Sequence, residues 1–208
     1  MYKRGFTLIE MMVSVAIFSI VMVVALGALL SMSVAARKAE TLKSVVNNLN
    51  FSLDSMTRSI RTGYNYQCGT SGTGAPQDCT GSNGEQYLAF VDSSGMGVAY
   101  CYDPTSRQIR RQKAASLSTN CSDAATFLPI TSPEVRITDM RFYVIGACRS
   151  TSTAGCTSDT MQPKVTIMVH GYVVVTGGAR DMTECGTPGN TCSVFNLQTS
   201  VTQRIYDQ

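Results

Sequence analysis

The pattern of apolar residues predicts one long helix with two different halves. Residues 11–36 carry no charged side chain, and a helix that crosses a bilayer needs about 20 apolar residues. Beyond this run, six apolar residues recur at alternating steps of four and three, namely Leu42, Val46, Leu49, Leu53, Met56 and Ile60. Such steps mark one face of a helix. The pattern therefore predicts a helix over 6–61, membrane-spanning in its first half and amphipathic in its second, that Thr62-Gly63 ends.

Short alternating segments in the remainder predict an antiparallel sheet. The predicted strands are 86–91, 97–102, 107–112, 126–130, 134–145, 164–176 and 192–205. Segment 64–84 is rich in Gly, Ser and Thr and is predicted to be a surface loop. The fold class is α+β, with the amphipathic half of the helix packed on the β-sheet head.

Three details of the sheet are also predicted. Asp92-Ser93-Ser94-Gly95 predicts a hairpin turn between the first two strands. The apolar phase shifts near Asp139, which predicts a β-bulge. The strand at 164–176 is apolar on both faces, as expected of a central strand that the helix covers on one side.

Eight cysteines lie beyond the membrane run. Their even number and their position predict disulfides formed in an oxidising compartment. Eight cysteines allow 105 pairings. Because neighbouring cysteines bracket loops rich in Gly, Ser and Thr, we predict the sequential pairs Cys68–Cys79, Cys101–Cys121, Cys148–Cys156 and Cys185–Cys192. The absence of a Cys-x-x-Cys and the single histidine argue against zinc, so neither a metal nor a cofactor is predicted.

The charge of the chain is nearly balanced. The formal net charge is +3, and 15 basic residues face 13 acidic ones from residue 37 onward, since Lys3, Arg4 and Glu10 precede it. The densest basic cluster is Arg107, Arg110, Arg111 and Lys113. If its strand alternates, the first and third of these arginines share a face. A charged edge strand is one interpretation and DNA capture another, but one short cluster argues against a nucleic-acid partner.

No pattern of catalytic residues is evident. His170, the only histidine, falls in the middle of a predicted strand beside Gly171. No Gly-x-Ser-x-Gly, phosphate-binding loop or metal-spaced cluster occurs. The chain is therefore predicted not to be an enzyme.

The first ten residues hold the most specific signal. Lys3 and Arg4 precede Gly5, and Glu10 is the one acid before the charge-free run. A cleaved secretory signal has a shorter apolar centre of about 15 residues. A plain signal anchor explains the length of the run but gives Glu10 no role. A charge at the centre of a bilayer costs about 2.5–3.5 kcal/mol on insertion scales and usually has a partner.

Residues 3–10 resemble the class III signal of type IV pilins and of type II secretion pseudopilins. The resemblance implies that a prepilin peptidase cuts between Gly5 and Phe6 and methylates the new amino terminus of Phe6. It also implies that Glu10 neutralises the amino terminus of a neighbouring subunit in a filament. The implied partners are other pilin or pseudopilin subunits, the peptidase and the bacterial inner membrane.

The same resemblance implies a division of the chain and a function. The leader would be 1–5, the membrane and filament-core helix 6–36, the amphipathic helix 37–63 and the disulfide-rich head 64–208. Gly27 stands where pilin helices often carry proline. The implied function is that of a minor pilin or a J-type or W-type pseudopilin in a type IV pilus, type II secretion or competence filament. The alternatives are a filament-displayed adhesin or DNA-uptake receptor, and an anchored head that never polymerises.

Overall fold

The computed structural model describes residues 5, 7–69, 75–147, 161–176, 182–185, 187, 189 and 191–204. Contacts within the chain divide it into two compact units, Met1–Lys43 and Ser44–Gln208. The predictions that concern Lys3, Arg4, Phe6 and the pair Cys148–Cys156 fall outside the described residues.

The first unit consists of the N-terminal part of helix α1, which spans Leu8–Arg61 and confirms the predicted helix. By length and composition this helix can cross a membrane. No part of its most apolar stretch is buried by the described residues of the chain. The helix continues through Gly27, where an added Cβ atom would meet nothing within 4 Å. The surface around this glycine is therefore open along the side of the helix.

In the second unit, α1 buries one face against the head. The buried residues of this face are Val45, Leu49, Ser52, Met56 and Ile60. The prediction that Val46 belongs to the buried stripe is wrong, because its side chain is 53% exposed whereas that of its neighbour is 3% exposed. At about 100° per residue, Val46 is turned away from the arc that the five buried residues share.

The head contains two antiparallel sheets. The first has five strands in chain order, namely β1 Tyr64–Cys68, β2 Tyr87–Val91, β3 Gly97–Asp103, β4 Gln108–Ala114 and β5 Leu128–Pro129. The second has three, namely β6 Val135–Ile145, β7 Lys164–Thr176 and β8 Thr191–Thr202. One apolar core joins the buried face of α1 with both sheets. The long helix and the antiparallel sheets confirm the α+β fold and its pilin-like head.

Strand β1 corrects the prediction that 64–84 is a surface loop. Its pairing with β2 is antiparallel, and Tyr66 is buried in the core. The Tyr66 hydroxyl lies 2.7 Å from each of the carbonyl oxygens of Ile60 and Gly63, so this strand also satisfies the end of α1. Strand β1 has only five residues and lies beside a loop rich in Gly and Ser. Its alternation is therefore too short for the strand to be identified from the sequence.

The prediction that strand β7 is a central strand covered by the helix on one side is confirmed. It is the central strand of its sheet, and Val165, Ile167 and Val169 are buried. On the opposite face, however, Met168 is half-buried and His170 is exposed. The helix shares a core with one face of this strand, as the sequence predicted.

The predicted bulge and hairpin turn are confirmed. The register between β6 and β7 shifts between Ile137 and Asp139. In the turn between β2 and β3, the Asp92 carboxylate accepts hydrogen bonds from the backbone N–H groups of Ser94, at 2.9 Å, and Met96, at 3.1 Å.

Disulfides fasten the loops of the head. The structure joins Cys68 to Cys79, Cys101 to Cys121 and Cys185 to Cys192, with Cα–Cα distances of 6.1, 6.0 and 5.4 Å. Each bridge closes a short segment between neighbours in the sequence, so each one restrains a loop rather than linking distant elements.

Candidate assembly site

Thr7 caps the start of α1. The backbone N–H of Glu10 lies 3.3 Å from Thr7 Oγ1 and 3.1 Å from its carbonyl oxygen. The N–H of Met11 donates to the same carbonyl at 3.3 Å. A side-chain oxygen that accepts from the third residue of a helix is the N-cap arrangement, which satisfies an otherwise unpaired donor.

Thr7-Leu8-Ile9-Glu10 therefore forms the sequence pattern of a capping box, in which a Thr is followed three residues later by a Glu. Sequence reasoning assigned Glu10 to assembly alone and missed Thr7, although this spacing could have identified the cap. The carboxylate also lies in the first turn, where the helix dipole favours negative charge. Local helix structure is thus a second reason for an acid at this position.

Polar groups along the following turns are satisfied within the helix. The hydroxyl of Ser14 donates to the Glu10 carbonyl at 2.7 Å, and that of Ser19 donates to the Val15 carbonyl at 2.8 Å. Such bonds to the preceding turn hide a hydroxyl that would otherwise need water. The segment therefore presents exposed apolar side chains with one carboxylate, Glu10, at its beginning.

The basic cluster is not arranged as the sequence predicted. Arg107 lies in the turn before β4 with a φ of 56°, so it does not alternate with Arg111 along the strand. Its guanidinium donates to the Tyr172 hydroxyl at 2.8 Å, and its carbonyl accepts from the Ile137 N–H at 3.0 Å. Arg107 thus connects the turn to the second sheet.

Arg110 is committed to a buried carboxylate. Its Nη2 lies 3.1 Å from Oδ2 of Asp103, and only 11% and 1% of the two side chains are exposed. Burial alone would raise the pKa of Asp103, but hydrogen bonds from Ser106, Ser122 and the Thr105 amide, together with the charge of Arg110, hold this pKa below its ordinary value. This ion pair is part of the head's interior.

Of the remaining two basic residues, Lys113 is exposed and Arg111 is half-buried. Lys113 forms an ion pair with Asp92 of the β2–β3 turn. Arg111 is half-buried on β4 beside Tyr100. Three of the four basic residues of this cluster, Arg107, Arg110 and Lys113, therefore make contacts within the head.

The single histidine takes part in a contact between two neighbouring strands. His170 is exposed on β7, and its Nδ1 lies 2.7 Å from Oδ1 of Asn196 on β8. Among the described residues, no three His, Cys, Asp or Glu side chains gather where they could hold a metal ion. The features most unusual for a water-exposed protein surface are thus the capped acid and the apolar helix behind it.

The model for the prokaryotic N-terminal methylation motif matches residues 1–26, and the long apolar helix continues directly behind it. The chain carries the signal of a type IV pilin-like prepilin. The motif belongs to structural prepilins of the pilin and pseudopilin type rather than to an enzyme family. No curated protein and no solved structure matches the chain. The head of the chain lies beyond the residues that the motif covers.

Proposed function

We propose that the chain is a minor pilin or pseudopilin, a structural subunit that is assembled into or at the tip of a type IV pilus or a type II secretion pseudopilus. The observation that supports this function most directly is the single carboxylate of Glu10, which lies within a methylation motif and directly before the exposed, charge-free residues 11–36. An apolar surface with one acid suits a filament core better than it suits an unassociated anchor.

Processing would create the positively charged group that pairs with Glu10. Hydrolysis of the bond between Gly5 and Phe6 releases an ammonium group at Phe6, and methylation leaves that group able to carry charge. When two subunits stack, the Glu10 carboxylate of one can neutralise the amino terminus of the other. A pair of opposite charges avoids the large cost of leaving either one alone in an apolar environment.

The proposed placement follows from the same features. Lys3 and Arg4 would stay on the cytoplasmic side, since positive residues flank the cytoplasmic end of membrane helices. Residues 6–36 would form the membrane and filament-core helix, 37–63 the amphipathic helix and 64–208 the head outside the cytoplasm. The disulfides of the head suit an oxidising compartment on that side of the inner membrane.

Mass spectrometry of the mature amino terminus tests the processing. We expect a chain that begins at Phe6 and carries one methyl group on its terminal nitrogen. A mature protein that still begins at Met1, or one that is cut near Ala36, would overturn the proposal.

Two matched variants separate the charge of Glu10 from its place in the capping box. Glu10→Gln removes the charge but keeps a side chain that can still complete the box. Thr7→Ala removes the cap, at a cost of about 1 kcal/mol, but keeps the carboxylate. We expect Glu10→Gln to abolish incorporation into isolated filaments and Thr7→Ala to reduce it only slightly. The reverse pattern would show that Glu10 acts through the cap and would contradict charge pairing.

A further inference from the structure

Strand β8 forms a long free edge of the head. It is the last strand of the three-stranded sheet, and within the described part of the chain it pairs with β7 alone. The opposite edge of the same sheet is covered, because β6 forms bridges with Cys79 and Glu85. In the five-stranded sheet, the edge strand β1 is short, and β5 has only two residues and includes Pro129.

The composition of β8 leaves this edge unprotected. Its sequence, TCSVFNLQTSVT, contains no charged residue, no proline and no glycine over 12 residues. Natural sheets protect their edges with charges, prolines, bulges or very short strands, because a free edge is a template for another strand. Here the long edge has none of these along the regular stretch that begins at Cys192.

The register shows which backbone groups face outward. The N–H of Gln203 donates to the carbonyl of Pro163, which marks a hydrogen-bonded pair next to the end of the ladder. Such pairs alternate with non-bonded ones in an antiparallel ladder. Val165↔Val201 and every second pair after it therefore bond inward. The N–H and C=O groups that point away from β7 belong to Val194, Asn196, Gln198, Ser200 and Thr202, and to Cys192 at the start of the regular stretch.

We propose that β8 pairs with β8 of a second copy of this chain, antiparallel and centred on Gln198, so that two three-stranded sheets become one. A second copy is the occupant that the edge itself favours, because a strand without charge has no repulsion against itself. In the register centred on Gln198, the five outward-facing residues from Val194 to Thr202 all find outward-facing partners.

The side chains on the exposed face are complementary in this register. Gln198 lies opposite Gln198 of the second copy, and an amide is both donor and acceptor. Asn196 then lies opposite Ser200, and Val194, which is 55% exposed in the single chain, lies opposite Thr202. Opposed polar pairs and an apolar contact of this kind stabilise neighbouring strands.

The pairing is independent of filament assembly through the N-terminal helix. It uses the head alone, and no atom of Glu10 or of the methylated terminus takes part. The test can therefore be made in full-length chains that carry Glu10→Gln, so that contacts that depend on the Glu10 charge do not contribute.

Cysteine cross-linking of the full chain in detergent micelles tests the register. Residues of a hydrogen-bonded antiparallel pair have Cα atoms about 5.5 Å apart, which suits a disulfide. We expect Gln198→Cys to give a covalent dimer on mild oxidation, with the bridge mapped to position 198. Asn196→Cys alone should give none, since its two copies are four residues out of register, about 14 Å along the strand.

A mixture of Asn196→Cys and Ser200→Cys chains serves as the positive control for the register, and we expect it to give heterodimers. Equal cross-linking of all single variants would indicate random collision and would overturn the proposal, as would the absence of a dimer with Gln198→Cys. As a measurement without added thiols, Gln198→Lys places two ammonium groups opposite each other. We expect this variant to sediment as a monomer where the parent sediments as a dimer, and an unchanged dimer would also overturn the proposal.

Discussion

Two methionines on α1, Met32 in the first unit and Met56 in the second, show how differently the halves of one helix are covered. Met32 is 72% exposed, whereas Met56 is completely buried in the core of the head. Both positions carry the same side chain on the same helix, so the type of residue does not account for the difference. What differs is where the apolar contacts come from.

The apolar face of the second half packs against the head of the same chain, whereas the apolar side chains of the first half are exposed in the single chain. Contiguous exposed apolar surfaces larger than a few hundred Å² are rare on soluble monomers and mark sites of contact with proteins or membranes. The exposed residues of the first half run from Leu8 to Val34. Substitutions at matched positions can therefore test the distinction between the halves.

Among the substitutions on α1, the largest expected effect is that of Met56→Ala. Truncation of a buried methionine removes apolar burial and leaves a cavity, which costs about 2–5 kcal/mol. We expect a loss of this size in the free energy of unfolding of the head, measured by denaturant titration of the full chain in detergent micelles.

Met32→Ala is the matched control for Met56→Ala. It removes the same atoms from the same helix where the head does not bury them, so the unfolding free energy of the head should stay within about 0.5 kcal/mol of the parent. Equal losses at the two positions would show that the halves are covered alike, which would contradict the comparison.

Residues 11–36 carry no charge, whereas the head buries the ion pair of Asp103 and Arg110. Asp103→Asn removes the carboxylate that faces Arg110 and should cost about 2 kcal/mol at neutral pH, as for hydrogen bonds to a charged group. Because the folded-state pKa of Asp103 is lowered, its contribution is present above the ordinary aspartate pKa of about 3.9. It is lost as the pH falls through the lower folded value.

The unfolding free energy of the parent should therefore fall as the pH drops below the ordinary aspartate pKa of about 3.9, and that of Asp103→Asn should fall less. Asp139 contributes in the same direction. Burial would raise its pKa, but hydrogen bonds from Arg141 and Gln86 and the charge of Arg141 lower it. An unchanged pH slope in Asp103→Asn would show that this carboxylate does not carry the acid sensitivity.

The sequence was sufficient where a long regular period recurred. The helix, the bulge near Asp139 and the alternation of β8 follow from side-chain spacing, because periods of 3.6 and 2 fix which residues share a face. The methylation motif was equally accessible, since its charges, its Gly5-Phe6 junction and Glu10 are contiguous in the chain.

The sequence was insufficient where contacts between distant residues decide the structure. Whether Val45 or Val46 turns inward depends on the sheets that the helix meets. The partners of Arg107 and Arg110 are Tyr172 and Asp103, and no local pattern pairs them. The cap at Thr7 is different, because its signal was present in four consecutive residues and was overlooked.

A smaller effect is expected from Ser52→Ala. Ser52 is buried on α1, and its hydroxyl lies 2.6 Å from the carbonyl oxygen of Ile130 and 2.9 Å from that of Asn48. Loss of the hydroxyl leaves the Ile130 carbonyl without this donor, which should lower the unfolding free energy by about 1 kcal/mol. Ser19→Ala is the control, since its hydroxyl bonds only to the preceding turn. A comparable loss in both would contradict a specific contact between α1 and the segment after β5.

The smallest effect is expected at Phe51, where the second half of α1 resembles the first. Phe51 is 76% exposed and lies about 200° around the helix from the buried Leu49, so its ring points away from the head's core. Phe51→Ala should change the unfolding free energy by less than about 0.5 kcal/mol, whereas Phe90→Ala in the core should cost about 3–5 kcal/mol. A cost of more than 1 kcal/mol for Phe51→Ala would show that the ring is covered in the single chain. Exposure would then not distinguish the two halves of α1 at this position.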